Sequence, residues 1–509
     1  MKNRDNRGMK RLNWTAFILL VALILRIPGL TDSFWLDEAA QAIESARPLS
    51  QQLMIKDDFQ PPLLHLLLHF VMYLGKAEWL LRSGVSLIPS LIVIYLILKI
   101  GEELKSKWAG IVAGLWLATS SFAIFYAQEL RPYALPAMWA ALSWWILVRK
   151  EPKRRWLWFS LSTVAGLYSS YLYPFALLGQ LIWSWFELKL QRRNLMVSFC
   201  AIVLGFLPWL PKFQEQLGAG QQLRVDLPGW EKVVSFTQAK SLALTVGKFW
   251  FGVLDLEPNL GFAVVALLLV VGLMGCLWFT FQAHKFDRKW LVVLCWGVIP
   301  ILAVWVVSFV VPVLQPKRVL FAFPAFALAI GWLLELAWQK RDAVSWAKYL
   351  TGGTAGLILC INLFGTFQYF TQPKYRREDW RGIVAQLQQQ YGDSQVVVIQ
   401  AFPAPFASWQ WYNQDVIPTV ATSVLTTNSL DKEELRQRLK PLMTARYIIV
   451  FDYLRDLTDP ERRVDQVLQA FGLQEVATIT PDTPLGQLHI YALPGVNVSK
   501  VPQEYAYRH

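Results

Sequence analysis

Clusters of lysine and arginine divide this chain into long apolar runs, and that alternation constrains the fold more than any other feature. The basic residues gather at Lys2 to Arg11, Lys99 to Lys107, Arg149 to Arg155, Lys189 to Arg193, Lys285 to Lys289 and Lys340 to Lys348. A helix needs about 20 apolar residues to cross a bilayer, and short loops rich in Lys and Arg stay on the cytoplasmic side. Successive clusters must then be separated by an even number of spans. Lys107 to Arg149 and Lys289 to Lys340 each leave room for two helices, and Trp156 to Leu188 breaks near its middle at Tyr171, Tyr173 and Pro174. Composition agrees. Only 17% of residues are charged, against about 25% in soluble chains, which argues against a cytosolic enzyme. The net charge of +13 becomes a topology signal, so nucleic acid is set aside as a partner.

Parity also decides the first interval. Between Arg11 and Lys99 there are three apolar runs, ending near Leu30, Gly75 and Ile100, and only two can span. The short run Pro61 to Gly75, with His65 and His69 one turn apart, is read as an interfacial helix on the outer face. Trp14 to Leu30 has no small-residue cleavage site after it and reads as a retained first span. The expected fold is mostly α: a polytopic membrane helix bundle of about eleven spans with a C-terminal extramembrane α/β domain. The N-terminus is expected to be cytoplasmic and the C-terminus extracytoplasmic.

Residues 1–371 form the expected membrane domain, with an outer catalytic loop at 31–78, and residues 372–509 the outer domain. Lys212 to Asn259 reads as an outer loop punctuated by Gly218, Gly220, Pro228 and Gly229, with a short apolar return near Leu242 to Leu254. In the outer domain, Gln395 to Gln400 and Arg446 to Phe451 look like buried strands. Pro460 to Phe471 looks helical, with Asp459 as N-cap and Gly472 past its end. Cys200, Cys276, Cys295 and Cys360 lie in apolar runs and read as small buried hydrophobes.

Ionisable groups against membrane spans are costly, which makes them functional candidates. On the outer side the first loop carries Asp37, Glu38 and Asp58. The loop after the third span carries Gln128, Glu129, Arg131 and Tyr133, and the loop before the tenth carries Lys317 and Arg318. Carboxylates and cations facing one another suit transfer from a lipid-linked phosphosugar. A carboxylate takes the proton of an acceptor hydroxyl, and fixed cations stabilise the departing phosphate. Asp37 fits the first role, and Lys317, Arg318 and Arg131 the second. The plainer readings are a helix-start pair for Asp37 and Glu38 and headgroup anchoring for Lys317 and Arg318. His65 and His69 have the spacing of a metal pair, and Asp57 or Asp58 could add a ligand; interfacial packing is the commoner fate of such histidines.

Taken in order, these motifs resemble the polytopic C-type glycosyltransferases (GT-C), in the branch of the protein O-mannosyltransferases and the lipid A aminoarabinose transferase. The carrying residues are Trp35-Leu-Asp37-Glu38-Ala39, Asp58-x-x-Pro61-Pro62-Leu63, Gly75 through Arg82, Ala127 through Leu135, Pro316-Lys317-Arg318 with Pro324, and Tyr375 through Arg381. They cover roughly three quarters of the chain. The resemblance implies that Asp37 is the general base, that the donor is a polyprenyl-phosphate sugar, and that a hexose or pentose is transferred with inversion to a lipid, protein or glycan hydroxyl. It implies a multi-pass protein of the cell membrane, in contact with membrane lipids. Some relatives hold a divalent metal ion near the phosphate, which places Asp58 and His65 as candidate ligands. Gln60 stands where many relatives have His, and Lys317-Arg318-Val319 replaces the commoner Pro-Arg-Tyr. The alternatives are a transporter or flippase of a lipid-linked substrate, which would call for inverted repeats and broken helices, and a non-catalytic assembly partner.

Overall fold

The computed structural model describes residues 13–55, 58–150, 154–227, 237–255, 259–282, 289–340, 344–391, 396–481, 483–494 and 504–505. The cluster Lys2 to Arg11, Lys285, Pro228, Gly229 and Asp57 lie outside them. Among the described residues six helices are long and apolar enough to cross a membrane: Glu78–Glu103, Lys189–Leu223, Leu260–Gln282, Trp290–Val307, Pro316–Trp338 and Ala347–Thr371. The pair Lys107–Thr119 and Ser121–Ala127, bent by 63°, makes a seventh when counted as one span. These helices make the chain an integral membrane protein. Trp14–Arg26 and Ala134–Val148 are shorter and apolar, so length and apolarity account for six or seven of the eleven expected spans.

Helix contacts follow from small residues on apolar faces. A Cβ at Gly101 would stand 2.6 Å from the Gly110 Cα, so the hairpin between Glu78–Glu103 and Lys107–Thr119 packs backbone against backbone. Leu260–Gln282 shows the opposite face: Leu267, Leu268, Val271, Met274 and Trp278 are exposed, an apolar surface that only lipid satisfies. The break at Ser120 frees carbonyls at the end of Lys107–Thr119, and Arg26 takes them. Its Nη2 donates to Leu117 O (2.9 Å) and its Nη1 to Ala118 O (3.0 Å), with Arg26 fully buried. That cap fixes where the following loop, residues 128–133, emerges.

The glycines expected to punctuate an outer loop at Lys212 to Asn259 are corrected: Gly218 and Gly220 lie inside the helix Leu210–Asp226, while the helix Gln238–Phe251 runs where the apolar return near Leu242 to Leu254 was expected. Glycine costs a helix only about 1 kcal/mol. Tertiary bonds outweigh that here: Gln216 Nε2 donates to Ile55 O (3.1 Å), and Tyr171 Oη donates to Gln216 Oε1 (2.5 Å). The short run after Pro61 forms the helix Leu63–Val71.

Past Thr371 the chain builds a six-stranded mixed sheet in the order β2-β1-β3-β5-β4-β6. The strands are β1 (Val396–Gln400), β2 (Thr419–Ala421), β3 (Tyr447–Phe451), β4 (Gln474–Pro481), β5 (Leu488–Ala492) and β6 (Glu504–Tyr505). β1 pairs parallel with β2 and β3, and β3 pairs antiparallel with β5. Alternate residues serve two cores. Val396, Val398, Ile449 and Phe451 face one side with Trp380; Ile399, Ile448 and Val450 face the other with Leu435 and Leu468. Burial on both faces explains why β1 and β3 read as unbroken apolar runs. The helix after Pro460 is Arg463–Ala470. Asp459 Oδ1 accepts from the Arg463 N–H (2.8 Å), and Gly472 closes the helix at φ +85°.

Candidate active site

The site is organised by the helix Leu36–Ser45, whose first turn carries both acids of the first outer loop. Neighbours in sequence, they have opposite surroundings. Glu38 is fully buried: its Oε1 accepts from Arg82 Nε (3.0 Å) and the Leu130 N–H (2.6 Å), and its Oε2 from Arg82 Nη2 (2.5 Å). Arg377 Nη1 stands 3.5 Å from the same Oε2. Burial raises the Glu38 carboxyl, but the two arginines outweigh it and hold the group below its ordinary value. Arg82 also donates to Leu30 O (3.0 Å) and Ser33 O (3.2 Å), so one guanidinium fixes the shape of the loop that presents Asp37.

Asp37 is half-buried, and among the described residues its carboxylate accepts no hydrogen bond and makes no ion pair. Three cations surround it electrostatically: Arg131, Lys317 and Arg318. Arg131 Nη1 lies 3.5 Å from the Asp37 carbonyl, and Arg318 Nη1 donates to Val313 O (3.4 Å). Lys317 Nζ stands 6.0 Å from the Trp35 ring centre and 5.5 Å from that of Tyr133, between two aromatic walls. Lys317 and Arg318 make no ion pair with a carboxylate among the described residues. Free cations beside a free carboxylate leave both available to a substrate.

The loop 128–133 is divided in its use. Gln128 is buried with its amide bonded on both sides: Nε2 donates to Arg26 O (3.0 Å) and to Pro28 O, and Oε1 accepts from Tyr369 Oη (2.7 Å). Glu129, 2% exposed, leaves its Oε2 without a partner, and burial pushes its carboxyl up. Arg131 turns toward Asp58, with Nη2 3.8 Å from Oδ1. Burial works against the Asp58 charge, yet Arg131 and His65 hold that carboxyl below its ordinary value.

His65 and His69 face the helix above them. His65 Nδ1 is 2.8 Å from Gln41 Nε2 and its Nε2 is 3.1 Å from Asp58 Oδ2; His69 Nδ1 is 3.0 Å from Ser45 O. Gln60 bonds both Gln41 and Asp58. No group of three or more His, Cys, Asp or Glu able to hold a metal occurs among the described residues, so the ion considered at Asp58 and His65 has only two ligands there, and Arg131 stands next to one of them. The residues described do not fit a resident divalent ion. Sequence reasoning passed over the roles of Arg26, Arg82 and Arg377. Their signal was a cation at the end of, or beside, an apolar run, the same rule that selected the others.

No family model matches this chain, and no curated protein matches it. Solved structures do. ArnT from Cupriavidus metallidurans bound to undecaprenyl phosphate superposes with a TM-score of 0.56 at 12% identity, over 95% of this chain and 98% of that one. The same protein in the apo state gives 0.55 at 13% identity, over 94% and 97%. The archaeal oligosaccharyltransferase AglB from Archaeoglobus fulgidus, in complex with an inhibitory peptide and a dolichol-phosphate, gives 0.53 at 12% identity, over 96% of this chain and 74% of that one. Over nearly its whole length, this chain shares its fold with ArnT and AglB.

Proposed function

We propose that this protein is a membrane glycosyltransferase that moves a sugar, a hexose or a pentose, from a polyprenyl phosphate to an acceptor hydroxyl on the extracytoplasmic face. The observation that carries the reading is the unpaired Asp37 carboxylate beside Arg131, Lys317 and Arg318, while Glu38 and Asp58 nearby are held by arginines. Asp37 takes the proton of the acceptor hydroxyl as its oxygen attacks the anomeric carbon. The bond from that carbon to the phosphate oxygen breaks, and the electron pair leaves with the phosphate, which Lys317 and Arg318 stabilise. Attack opposite the leaving group inverts the anomeric centre. Arg131 is oriented by Asp58, Tyr133 and Trp35 wall the sugar, and Glu129 lies at the donor.

In this reading Glu38 and Gln128 hold the site rather than touch the substrate. The basic clusters support a cytoplasmic N-terminus and an extracytoplasmic location for residues 372–509. ArnT and AglB were solved with lipid phosphates, which supports a lipid-linked donor here. The test is consumption of undecaprenyl-phosphate hexoses and pentoses by purified protein in lipid nanodiscs, offered with lipid, peptide and glycan acceptors. Release of undecaprenyl phosphate with an inverted product is the expected result. Tight donor binding without consumption would instead favour movement of a lipid-linked substrate across the membrane.

A further inference from the structure

A cleft of about 730 Å³ opens where the outer domain meets the helix that carries Asp37, and the mechanism above does not use it. Ile43 and Lys76 line it from the membrane domain; Trp411, Tyr412, Gln414 and Asp415 line it from the outer domain. Ligand pockets commonly span roughly 300 to 1,000 Å³, so the size suits a small molecule or one end of a chain. Two links tie the cleft to the catalytic loop. Ile43 follows Asp37 within the helix Leu36–Ser45, about 9 Å along its axis at 1.5 Å per residue. Tyr412 Oη accepts from the Phe34 N–H (2.7 Å) and donates to Glu78 Oε1 (2.8 Å), which fastens the outer wall to the segment leading into Asp37.

That wall is fixed in advance. The helix Ala407–Asn413 ends on two successive left-handed residues, Gln414 (φ +47°) and Asp415 (φ +61°), where a helix commonly ends on one such residue and it is usually glycine. Asn413 holds the turn closed: its Nδ2 donates to Ile417 O (2.9 Å), its Oδ1 accepts from the Ile417 N–H (3.0 Å), and its carbonyl accepts from Gln388 Nε2 (3.0 Å). Gln414 and Asp415 are exposed, and among the described residues their side chains make no hydrogen bond. Trp411 is half-buried, with Phe34 edge-on to its ring at 5.8 Å. A sugar ring has an apolar C–H face and a rim of hydroxyls, so it takes an aromatic ring together with groups that donate and accept, and a wall already ordered loses little on binding it. Other occupants fit less well. Lys76 and Asp415 are the charged residues of the lining and cancel, which leaves no net charge to attract a polyanion. The edge strand β2 adjoins the cleft at Thr419, but it is three residues long and follows Pro418, which has no N–H, so a peptide gains little strand pairing there.

We propose that this cleft binds a neutral saccharide chain, and that the acceptor of the transfer is the end of such a chain reaching Asp37. The acceptor role rests on the reading of this protein as a glycosyltransferase with Asp37 as base; the binding does not. The test is calorimetric titration of full-length protein in nanodiscs with neutral hexasaccharides of glucose, galactose and mannose, with a hexauronate and with a peptide of uncharged residues. Binding of at least one neutral hexasaccharide is expected, insensitive to salt because no charge pair forms. Trp411→Ala should weaken it about tenfold and Gln414→Ala about threefold, and the Michaelis constant for that saccharide as acceptor should rise by the same factors. Gln414 is exposed, so its variant decides if Trp411→Ala fails to fold. Absence of binding by every neutral hexasaccharide, binding that the variants leave intact, or tighter binding of the peptide or the hexauronate overturns the proposal. A bound saccharide that receives no sugar from a donor the protein consumes overturns its role as acceptor. Asp37→Asn separates the two readings: if it transfers sugar normally while hexasaccharide binding is present, the base assignment fails and the cleft stands, and if it is dead while no hexasaccharide binds the wild type, the cleft alone fails.

Discussion

Two buried arginine clusters, one beneath Asp37 and one in the outer domain, are built in opposite ways. Beneath Asp37, one carboxylate, Glu38, meets two guanidiniums, Arg82 and Arg377, drawn from distant parts of the chain and at most 8% exposed. The positive charge is in excess, and loop carbonyls share it. In the outer domain one arginine, Arg455, meets three carboxylates from a single short stretch: Asp452 (3.3 Å), Asp459 (2.8 Å) and Asp465 (2.8 Å). There carboxylates outnumber the buried arginine, Asp452 also meets Arg462 (3.4 Å), and Asp452 and Asp465 reach water. The local cluster staples a turn and caps a helix. The distant one ties Glu38 to an arginine of a long apolar helix and to one that follows the last, and keeps a net positive charge.

Breaking each cluster separates these roles. Glu38→Ala leaves two buried guanidiniums without their carboxylate, and is expected to cost about 3 to 5 kcal/mol and to abolish turnover, read by thermal unfolding in detergent and by the transfer assay. Arg455→Met is expected to cost about 3 kcal/mol, the low end of that range, because two of the freed carboxylates are already solvated. Turnover per folded molecule should not change in that variant; a loss would mean that the outer cluster also serves the site.

A smaller effect sharpens the contrast through pH. His489 lies 2.8 Å from Glu475 and 3.1 Å from Asp452, and although burial lowers it, these two carboxylates raise its imidazole above the ordinary value. A raised histidine adds stability that is complete below its unfolded value of about 6.5 and is lost as pH rises through the folded one. Outer-domain stability should therefore fall as pH is raised from the acid side through neutrality, and His489→Gln should flatten that slope. An unchanged slope in the variant would assign the pH dependence to other groups.

The bundle was legible because lipid imposes a one-dimensional rule, apolar runs closed by basic loops, that needs no tertiary knowledge. Asp37, Arg131, Lys317 and Arg318 stood out for a related reason, as charges set between apolar runs, and the structure brings them near one another. What the sequence did not reveal was which charges pair. That Glu38 closes on Arg82 and Arg377 while the adjacent Asp37 stays free depends on where helices cross, and no local pattern distinguishes the two acids. The helix at Leu210–Asp226 was hidden by its glycines, whose helical cost is smaller than the value of the contacts around Gln216. Strands β2 and β6, three and two residues long, are too short to stand out, and β4, eight residues long, carries too little apolar alternation.

The central claim is that Asp37, left unpaired beside unpaired cations, is the base. Its most direct test compares Asp37→Asn with wild type in nanodiscs, measuring donor binding and turnover of undecaprenyl-phosphate sugar on the same preparations. The account predicts turnover reduced by about 10² or more with donor affinity retained, because the amide keeps the shape and loses only the proton acceptor. Turnover at or near the wild-type rate would contradict it.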